Sequence, residues 1–568
     1  MLNLYVRLAP VLLTLIELFL VLAAGFLIAW SHWKTRNSAA TKPIPLFGGS
    51  FAALARRRQT CVFGVGVAVI AMRAALIPIL GVPEPRFHDE FSLLLAADTF
   101  AHGRLTNPTH PMWIHFETFH VIQQPTYMSM YPPGQGLVLA LGQLLGHPWV
   151  GQLLATGAMC SGICWMLQGW LPPSWALMGA VLAALRLGVL SYWMNSYFPG
   201  PLTALGGAMV LGALPRVMKH ARIRDALLMG AGLAILANTR PYEGFVFSLP
   251  VAAVLMVWMV RQKRISQKVV FGQVVLPLAL LLAATGLAMG YYFWRVTGNP
   301  LVMPYQVNRQ TYAVAPYFIW QHLRPEPAYR YSVMRDFYLG FEQRDFESGD
   351  SFWGLVQRLL FKFRVLWVFY IGPIFTVALI GLPCAFRDRR MRIPMLVGAA
   401  VVIGIVLEVW TGAHYIAAAT SLLFLFIVQS MRHMAQWEIG GRPVGTALVK
   451  AIPVLCVAMV VLRICAVVTG THIEPLWPRG NLQRAAIAKK LQAMPGEQLV
   501  IVRYAPDHGP HNEWVYNRAD IDRSKVVWAR DLGTAGNQEL LQYFRNRHAW
   551  QICPDDPNPE LADYRAGQ

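Results

Sequence analysis

Three ionisable residues stand together where a long apolar segment ends: His88, Asp89 and Glu90, in the stretch GVPEPRFHDEFSLLLAADTFAHG (81–103). A carboxylate at a membrane surface can act as a general base, or hold a divalent cation, while an acceptor hydroxyl attacks a substrate. The pair also suits a helix start, since Asp is a favoured N-cap and Glu complements the helix dipole. A helix cap explains one carboxylate but not the whole cluster beside Arg86, so we predict a functional site here.

The elements that must position these residues are membrane helices. The chain has 568 residues, of which 55% are hydrophobic and 14% charged, with a mean hydropathy of +0.42. This is too apolar for an ordinary soluble protein of that size. Segments of about 17–25 apolar residues are long enough to cross a bilayer, and about twelve are predicted. They are 8–30, 61–81, 149–170, 175–193, 199–215, 225–239, 244–260, 270–292, 364–386, 393–411, 413–431 and 447–468.

A formal charge of +20 raises the question of a nucleic-acid partner. Many of the cations lie instead in short connectors between predicted spans, at 56–58, 216–224, 261–268 and 387–392. In the twelve-span arrangement these connectors share one side, which the positive-inside rule makes cytoplasmic. We therefore expect a multi-pass inner-membrane protein and no nucleic-acid partner.

The same arrangement places three large segments outside the cytoplasm: 82–148, 293–363 and 469–568. The alternative is that residues 1–30 are a cleaved signal peptide, but this would move the cations between residues 34 and 58 to the outer side. In the first outer loop, 91–103 is predicted to form an amphipathic helix, and 134–146 is apolar but too short to span. We expect both to lie in the membrane interface.

The first outer loop also contains the proline-rich stretch 107–134, which should be irregular because proline interrupts regular helix. After Val468 the composition becomes that of a soluble domain. A small α/β unit is predicted there, with helices at 481–494 and 537–546 and strands at 498–505, 525–532 and 549–554. The predicted fold class is an α-helical polytopic membrane protein, 1–468, with a small extracytoplasmic α/β domain, 469–568.

Two motifs of the first loop and its surroundings resemble a known superfamily. An apolar span precedes the Asp-Glu pair, then LLLAADTFAHGRLTNP follows, and YPPGQGLVLALGQLLGHPWV leads into the next span. This pattern resembles the GT-C glycosyltransferases, most of all the polyprenyl-phosphate-dependent mannosyl-, aminoarabinosyl- and galacturonosyl-transferases. The likeness covers roughly 60–260 well and the later spans by layout; the soluble tail is outside it. It implies a GT-C-like bundle in which Asp89 is the catalytic base, with Glu90 as its neighbour.

The resemblance also implies a polyprenyl-phosphate-linked sugar as donor, whose phosphate needs a cationic partner near the outer interface. Arg240, with Glu243, lies in ILANTRPYEGF between two short predicted spans, and Arg309 is a second candidate of the same kind. Each arginine could equally be an interfacial anchor that snorkels from a span end.

Five further residues are predicted to contact substrate. His414 and Tyr415 lie in TGAHYIAAAT at an outer turn, where an interfacial aromatic belt is the alternative. Tyr131 stands before Pro-Pro, where many relatives carry a basic residue or a histidine. His88 completes the set, together with Arg86, because both adjoin the predicted base.

No resident cofactor is established by the sequence, and a divalent cation at Asp89 and Glu90 remains open. A structural zinc is the alternative in the first loop, which is crowded with histidines. However, HFETFH (115–120), with Glu117 at its centre, is not a recognised ligand spacing. No phosphate-binding loop or dinucleotide-binding motif occurs in a convincing structural context, which disfavours a soluble nucleotide-sugar donor.

The predicted function is transfer of a sugar from a polyprenyl phosphate to an extracytoplasmic glycolipid, polysaccharide or protein, with inversion at the anomeric carbon. The membrane lipid and the acceptor are the expected partners. The alternative is a transporter or lipid flippase, which would also have about twelve spans. Ionisable residues do fall within predicted spans, namely Glu17, Arg73, Arg186 and Glu408. We expect no paired midplane site of the kind a transporter needs, since no two-fold repeat is apparent and most ionisable residues fall in the outer loops.

Overall fold

The computed structural model describes residues 2–34, 46–471 and 480–565. Within these residues, ten helices are long and apolar enough to cross a membrane. They are Pro10–Ser31, Arg58–Ala75, Pro148–Trp170, Gly200–His220, Pro241–Arg261, Gln267–Thr297, Phe352–Leu379, Arg389–Leu407, Ala413–Met434 and Val444–Val468. The chain is a multi-pass membrane protein.

The two other predicted spans are helical but shorter than a full crossing. The segment predicted at 175–193 is Pro173–Ala183, continued by the π-helical turn Ala184–Gly188. The segment predicted at 225–239 is Ile223–Ala237, with 15 residues. This helix is bounded by Arg222 and by Asn238, which precedes the Arg-Pro dipeptide, so its apolar length falls short of about 20 residues.

One span begins earlier than the hydropathy pattern indicates. The helix Phe352–Leu366 starts inside the segment predicted as the second outer loop, continues through the π-helical turn Trp367–Ile371, and breaks at Gly372, where φ is +58°. The predicted start at 364 is therefore wrong. The charged residues of FWGLVQRLLFKFRV lower its hydropathy, which hid the first three turns of the helix.

A buried ion pair spans the break in this helix. Arg186 Nη1 lies 3.1 Å from Glu17 Oε2, and Arg186 also donates to the carbonyls of Val368 and Phe369 at 2.7 and 3.1 Å. The Glu17 carboxylate accepts from the backbone N–H of Ile374 at 3.0 Å. The pair thus satisfies backbone groups on both sides of the break. Two of the charges within predicted spans therefore form a pair, and the break in the helix accounts for it.

The first outer loop is built from two helices and a small sheet. The helices are His88–Ala101 and Pro133–Leu144, close to the predicted 91–103 and 134–146. Between them, antiparallel strands lie in the order Asn107–Pro108, Thr126–Ser129, Val121–Ile122. The rest of 107–134 is largely irregular, as the prolines predict.

The second outer segment carries the helices Pro304–Tyr312, Ser332–Arg335 and Arg344–Glu347, with π-helical turns at Asp336–Gln343. The C-terminal unit has the predicted α/β pattern. Its strands lie in the order Val526–Arg530, Gln498–Val502, His548–Ile552, Ala562–Asp563, with the first three parallel. Its helices are Leu482–Ala493 and Gly533–Tyr543.

The C-terminal unit packs directly on the helix His88–Ala101. Phe91 and Leu95 share one hydrophobic cluster with residues of the C-terminal sheet, and the rings of Phe91 and Tyr516 stack at 4.3 Å. Asp98 accepts from the backbone N–H of Ala519 at 2.8 Å. These three helix residues are spaced i, i+4, i+7, so they form one face. This face of the helix is therefore covered by the C-terminal unit.

Candidate active site

A cavity of about 530 Å³ lies where the outer loops, several span ends and the C-terminal unit meet. Seven of the ten predicted site residues line it: His88, Asp89, Tyr131, Arg240, Arg309, His414 and Tyr415. They come from segments more than 300 residues apart in the chain, so the fold itself gathers them.

Asp89 offers one carboxylate oxygen to the cavity. Its Oδ1 accepts a short hydrogen bond from the Tyr131 hydroxyl and lies 3.7 Å from His120 Nδ1. Oδ2 has no hydrogen bond among the described residues, and the side chain is 30% exposed. Burial alone would raise the pKa of the Asp89 carboxyl, but His120 and the Tyr131 hydroxyl outweigh it and the pKa is lowered. The carboxylate is thus ionised at neutral pH.

His120 is held in an uncommon backbone conformation next to this carboxylate. Its φ is +59°, in the left-handed region that residues with side chains rarely adopt. The Ser92 hydroxyl and the backbone N–H of Met130 both donate to its carbonyl, at 2.6 and 3.2 Å, and fix the turn. Strained residues of this kind concentrate at functional sites. Sequence spacing grouped His120 only with the other loop histidines, and no signal there separated it from them.

Glu90 points away from the cavity. Its carboxylate accepts from the backbone N–H groups of Arg86 and Phe87 at 2.9 and 3.1 Å, and from that of Tyr197 at 3.2 Å. The side chain is buried, and burial raises its pKa to about 7. Glu90 therefore anchors the start of the helix, which was the alternative role for one of the two carboxylates. Arg86, predicted to contact substrate, is likewise not among the residues that line the cavity.

Arg240 is the first candidate ligand for an anionic group. It forms a short ion pair with Glu243 and lies 3.8 Å from the centre of the Tyr415 ring. Its Nε is buried and has no hydrogen-bond partner among the described residues. Close by in the cavity wall, His414 Nδ1 lies 3.0 Å from the Tyr192 hydroxyl. Arg240 thus retains donor capacity that Glu243 does not use.

Arg309 is the weaker candidate for binding an anionic group, because its guanidinium already forms hydrogen bonds within the protein. Its Nη1 donates to both oxygens of Glu342, at 2.8 and 2.7 Å, and Nη2 donates to the carbonyl of Ala315. The guanidinium also lies over the rings of Tyr317 and Trp410, at 4.7 and 5.1 Å. This environment fits a structural anchor of the cavity wall better than an open phosphate ligand.

Two cations that line the cavity were not predicted. Lys362 is 3% exposed, and its Nζ donates to the carbonyls of Ile405, at 2.7 Å, and Glu408. An ammonium has three N–H groups, so one remains for a ligand. Arg358 donates to the carbonyls of Asp345 and Phe346 at 2.6 and 2.7 Å. Both were assigned to the outer loop because the start of their helix was placed too late.

The C-terminal unit contributes to the cavity through one short segment. Pro510 O lies 2.9 Å from His88 Nε2, and the His511 ring stacks on the His88 ring at 5.4 Å and 7°. Phe119 stacks on the same ring at 4.5 Å. Burial lowers the pKa of His88 to about 4, so the ring is neutral at pH 7. Since the tail was expected only as a separate domain, sequence reasoning missed His511.

His88, Asp89 and His120 form a group that could hold a metal ion, with one ligand atom from each lying within 4.8 Å of the others. This group differs from the predicted Asp89 and Glu90. Two other first-loop histidines are engaged elsewhere: His110 with Asp522 at 3.0 Å, and His115 with the carbonyl of Arg530 at 3.1 Å. HFETFH thus contributes only one residue to the group.

No protein-family model matches the chain, and no curated protein matches it in sequence. Solved structures do match. An oligosaccharyltransferase from Archaeoglobus fulgidus, tethered with an acceptor peptide, is 9% identical with a TM-score of 0.46, over 87% of this chain and 69% of that one. ArnT from Cupriavidus metallidurans, bound to undecaprenyl phosphate, is 13% identical with a TM-score of 0.47, over 86% and 92%. Arabinosyltransferase EmbB from Mycobacterium smegmatis is 13% identical with a TM-score of 0.39, over 79% and 43%. Each of these similarities is to a GT-C glycosyltransferase.

Proposed function

We propose that the chain is a membrane glycosyltransferase that moves a sugar from a polyprenyl-phosphate donor to an acceptor hydroxyl. The observation that carries the proposal is a cavity of about 530 Å³ that is lined by Asp89 and also by the cations Arg240 and Lys362. A base for the acceptor and ligands for the leaving phosphate are the two requirements of this displacement.

The reaction is a single displacement. The acceptor hydroxyl lies against Oδ2 of Asp89, which takes its proton as the oxygen bonds to the anomeric carbon. The bond from that carbon to the phosphate oxygen breaks on the opposite face, and polyprenyl phosphate leaves with the electron pair. One displacement inverts the anomeric configuration. Tyr131 and His120 assist by keeping Asp89 ionised before the reaction.

The lipid donor enters sideways along the helix Phe352–Leu366. Phe361 both lines the cavity and is 58% exposed, and its neighbours Leu360 and Phe363 are 61% and 63% exposed. Such exposed apolar side chains on a spanning helix face lipid. A polyprenyl chain along this surface would bring its phosphate to Lys362 and Arg240, where charge-assisted hydrogen bonds are strongest.

The proposed orientation puts this cavity outside the cytoplasm of an inner-membrane protein. The support is the clustering of cations in the connectors at the other side of the spans. The acceptor would be a glycolipid, a polysaccharide or a protein, which reaches the cavity from the aqueous side.

The site also fits a divalent cation. Two imidazoles and a carboxylate are a suitable donor set for zinc or manganese, and the Pro510 carbonyl bonded to His88 Nε2 is the kind of outer partner that fixes a ligating ring. His88, Asp89 and His120 would hold the ion. When bound, it would supply positive charge next to the acceptor oxygen and the leaving phosphate.

The test is turnover by the purified protein in liposomes with a panel of polyprenyl-phosphate sugars. We expect release of polyprenyl phosphate with at least one donor and transfer of its sugar. The double variant Arg240→Gln/Glu243→Gln, which removes the cation without leaving an unpaired carboxylate, should raise KM for the donor by about 10- to 100-fold. Arg261→Gln, on an exposed connector residue, should leave it unchanged. Movement of intact donor across the membrane without cleavage would instead support the transporter or flippase alternative.

A further inference from the structure

Two residues of the C-terminal unit, Pro510 and His511, contact the His88 ring. Because a carbonyl can only accept, the 2.9 Å contact with Pro510 O means that His88 Nε2 carries the proton. In the neutral ring, Nδ1 is then the hydrogen-bond acceptor. His511 stacks on one ring face at 5.4 Å, and Phe337 meets the ring edge-on at 5.2 Å.

The segment that makes these contacts is held by an extensive interface. Beyond the face of helix His88–Ala101 described above, Arg530 is 3% exposed and donates to Glu513 at 2.6 Å and to the carbonyl of Glu117 at 3.0 Å. The backbone N–H of Asn481 also donates to the carbonyl of Pro85 at 3.1 Å. Buried charged hydrogen bonds of this kind require fixed geometry. The position of Pro510 and His511 therefore depends on the whole unit.

We propose that the C-terminal unit is a positioning element of the active site, in which Pro510 and His511 fix the His88 ring so that, in the metal-free site, Nδ1 accepts a hydrogen bond from the acceptor beside Asp89. The ligand class is a polyhydroxylated acceptor, which has a second hydroxyl to donate next to the one that reacts. This inference rests on the proposed glycosyl transfer and adds an acceptor contact to it. His511 is a positioning residue, because it acts through His88.

The activity test compares full-length variants in liposomes. His511→Ala removes the stacked ring, and His511→Phe restores a ring of similar shape. His548→Ala is the matched control, because His548 belongs to the same unit but is 54% exposed and pairs with Asp563 at 2.8 Å.

We expect His511→Ala to lower kcat/KM for the acceptor by about 10-fold, since small misplacements in an active site cost this much or more. KM for the lipid donor should not change. His511→Phe should recover most of the loss, and His548→Ala should match the wild type. Wild-type kinetics in His511→Ala, or an equal loss for the donor and the acceptor, would overturn the inference.

A second measurement does not require turnover. In ¹⁵N-histidine spectra of the 15 histidines, the signal that disappears in His88→Gln identifies His88. The wild-type signal should show the Nε2-protonated tautomer, and His511→Ala should shift it towards a tautomer mixture. A wild-type signal with Nδ1 protonated, or one unaffected by His511→Ala, overturns the positioning role. If no donor is consumed but the spectra behave as expected, the proposed reaction fails while the positioning of His88 stands.

Discussion

Asp89 and Glu90 are adjacent, but we expect their amide variants to fail in different ways. Asp89→Asn removes the proposed base, whose side chain lines the cavity, and Glu90→Gln removes a carboxylate that binds only backbone N–H groups. Each substitution preserves the shape of the side chain and replaces a carboxyl group by an amide, so the pair forms its own matched control.

The expected magnitudes follow from the contacts. Loss of a general base costs about 10²- to 10⁴-fold in kcat, or about 2.7–5.5 kcal/mol of barrier. Asn at position 89 can still accept from Tyr131, so stability should change by less than about 1 kcal/mol. In Glu90→Gln, the amide oxygen can keep either the two bonds from Arg86 and Phe87 or the one from Tyr197, and the new NH₂ group then opposes the remaining backbone N–H. This should cost about 1–3 kcal/mol of unfolding free energy.

The assay measures release of polyprenyl phosphate together with the unfolding midpoint for both variants. We expect Asp89→Asn to lose turnover and keep its midpoint, and Glu90→Gln to lose stability and keep most of its turnover at low temperature. If Asp89→Asn retains more than about a tenth of the wild-type rate, the base assignment is wrong. If Glu90→Gln is as inactive as Asp89→Asn without being destabilised, Glu90 takes part in the chemistry.

Three further outcomes are expected. Lys362→Met should raise KM for the lipid donor by about 10- to 100-fold, and Lys263→Met, in an exposed connector, should not; equal effects would exclude Lys362 from the phosphate site. Burial lowers the pKa of His88 from 6.5 to about 4, so the unfolded chain alone takes up this proton as pH falls through that window. The contribution of His88 to the free energy of unfolding, up to about 3 kcal/mol, is then lost. The melting temperature of His88→Gln should therefore depend less steeply on pH in this window than that of the wild type, and an equally steep dependence would contradict this. Finally, manganese or zinc should raise the melting temperature of the wild type but not of His120→Ala, and EDTA should reverse the effect; a similar rise in both would place the ion elsewhere.

The membrane architecture could be predicted because it depends on local composition. Each predicted apolar segment is helical, and the two helices of the first outer loop begin within three residues of their predicted starts. The strands after residue 480 could also be predicted from the sequence, since buried strands such as Gln498–Val502 are short apolar runs between turns. These features need no information about distant parts of the chain.

The assembly of the site could not be predicted in the same way. The contact between His88 and Pro510 joins residues 422 positions apart, and no periodicity in either segment indicates it. Lys362 was missed for a different reason: a lysine inside a span lowers the hydropathy by which spans are recognised. The positive charge that makes a buried cation a candidate ligand thus also lowers the hydropathy of its helix, so the helix is not recognised as a span at that position.

The pair Glu17 and Arg186 bears on the transporter alternative. Buried charge pairs within spans often mark transport sites, and broken helices accompany them. Here, however, both charges are used by the break itself: Glu17 accepts from Ile374, and Arg186 donates to two carbonyls before Gly372. A substrate binding there would have to displace bonds that hold the two half-helices together. Neither residue lines the cavity that contains Asp89, so the pair explains the shape of a span and is separate from the groups that line this cavity.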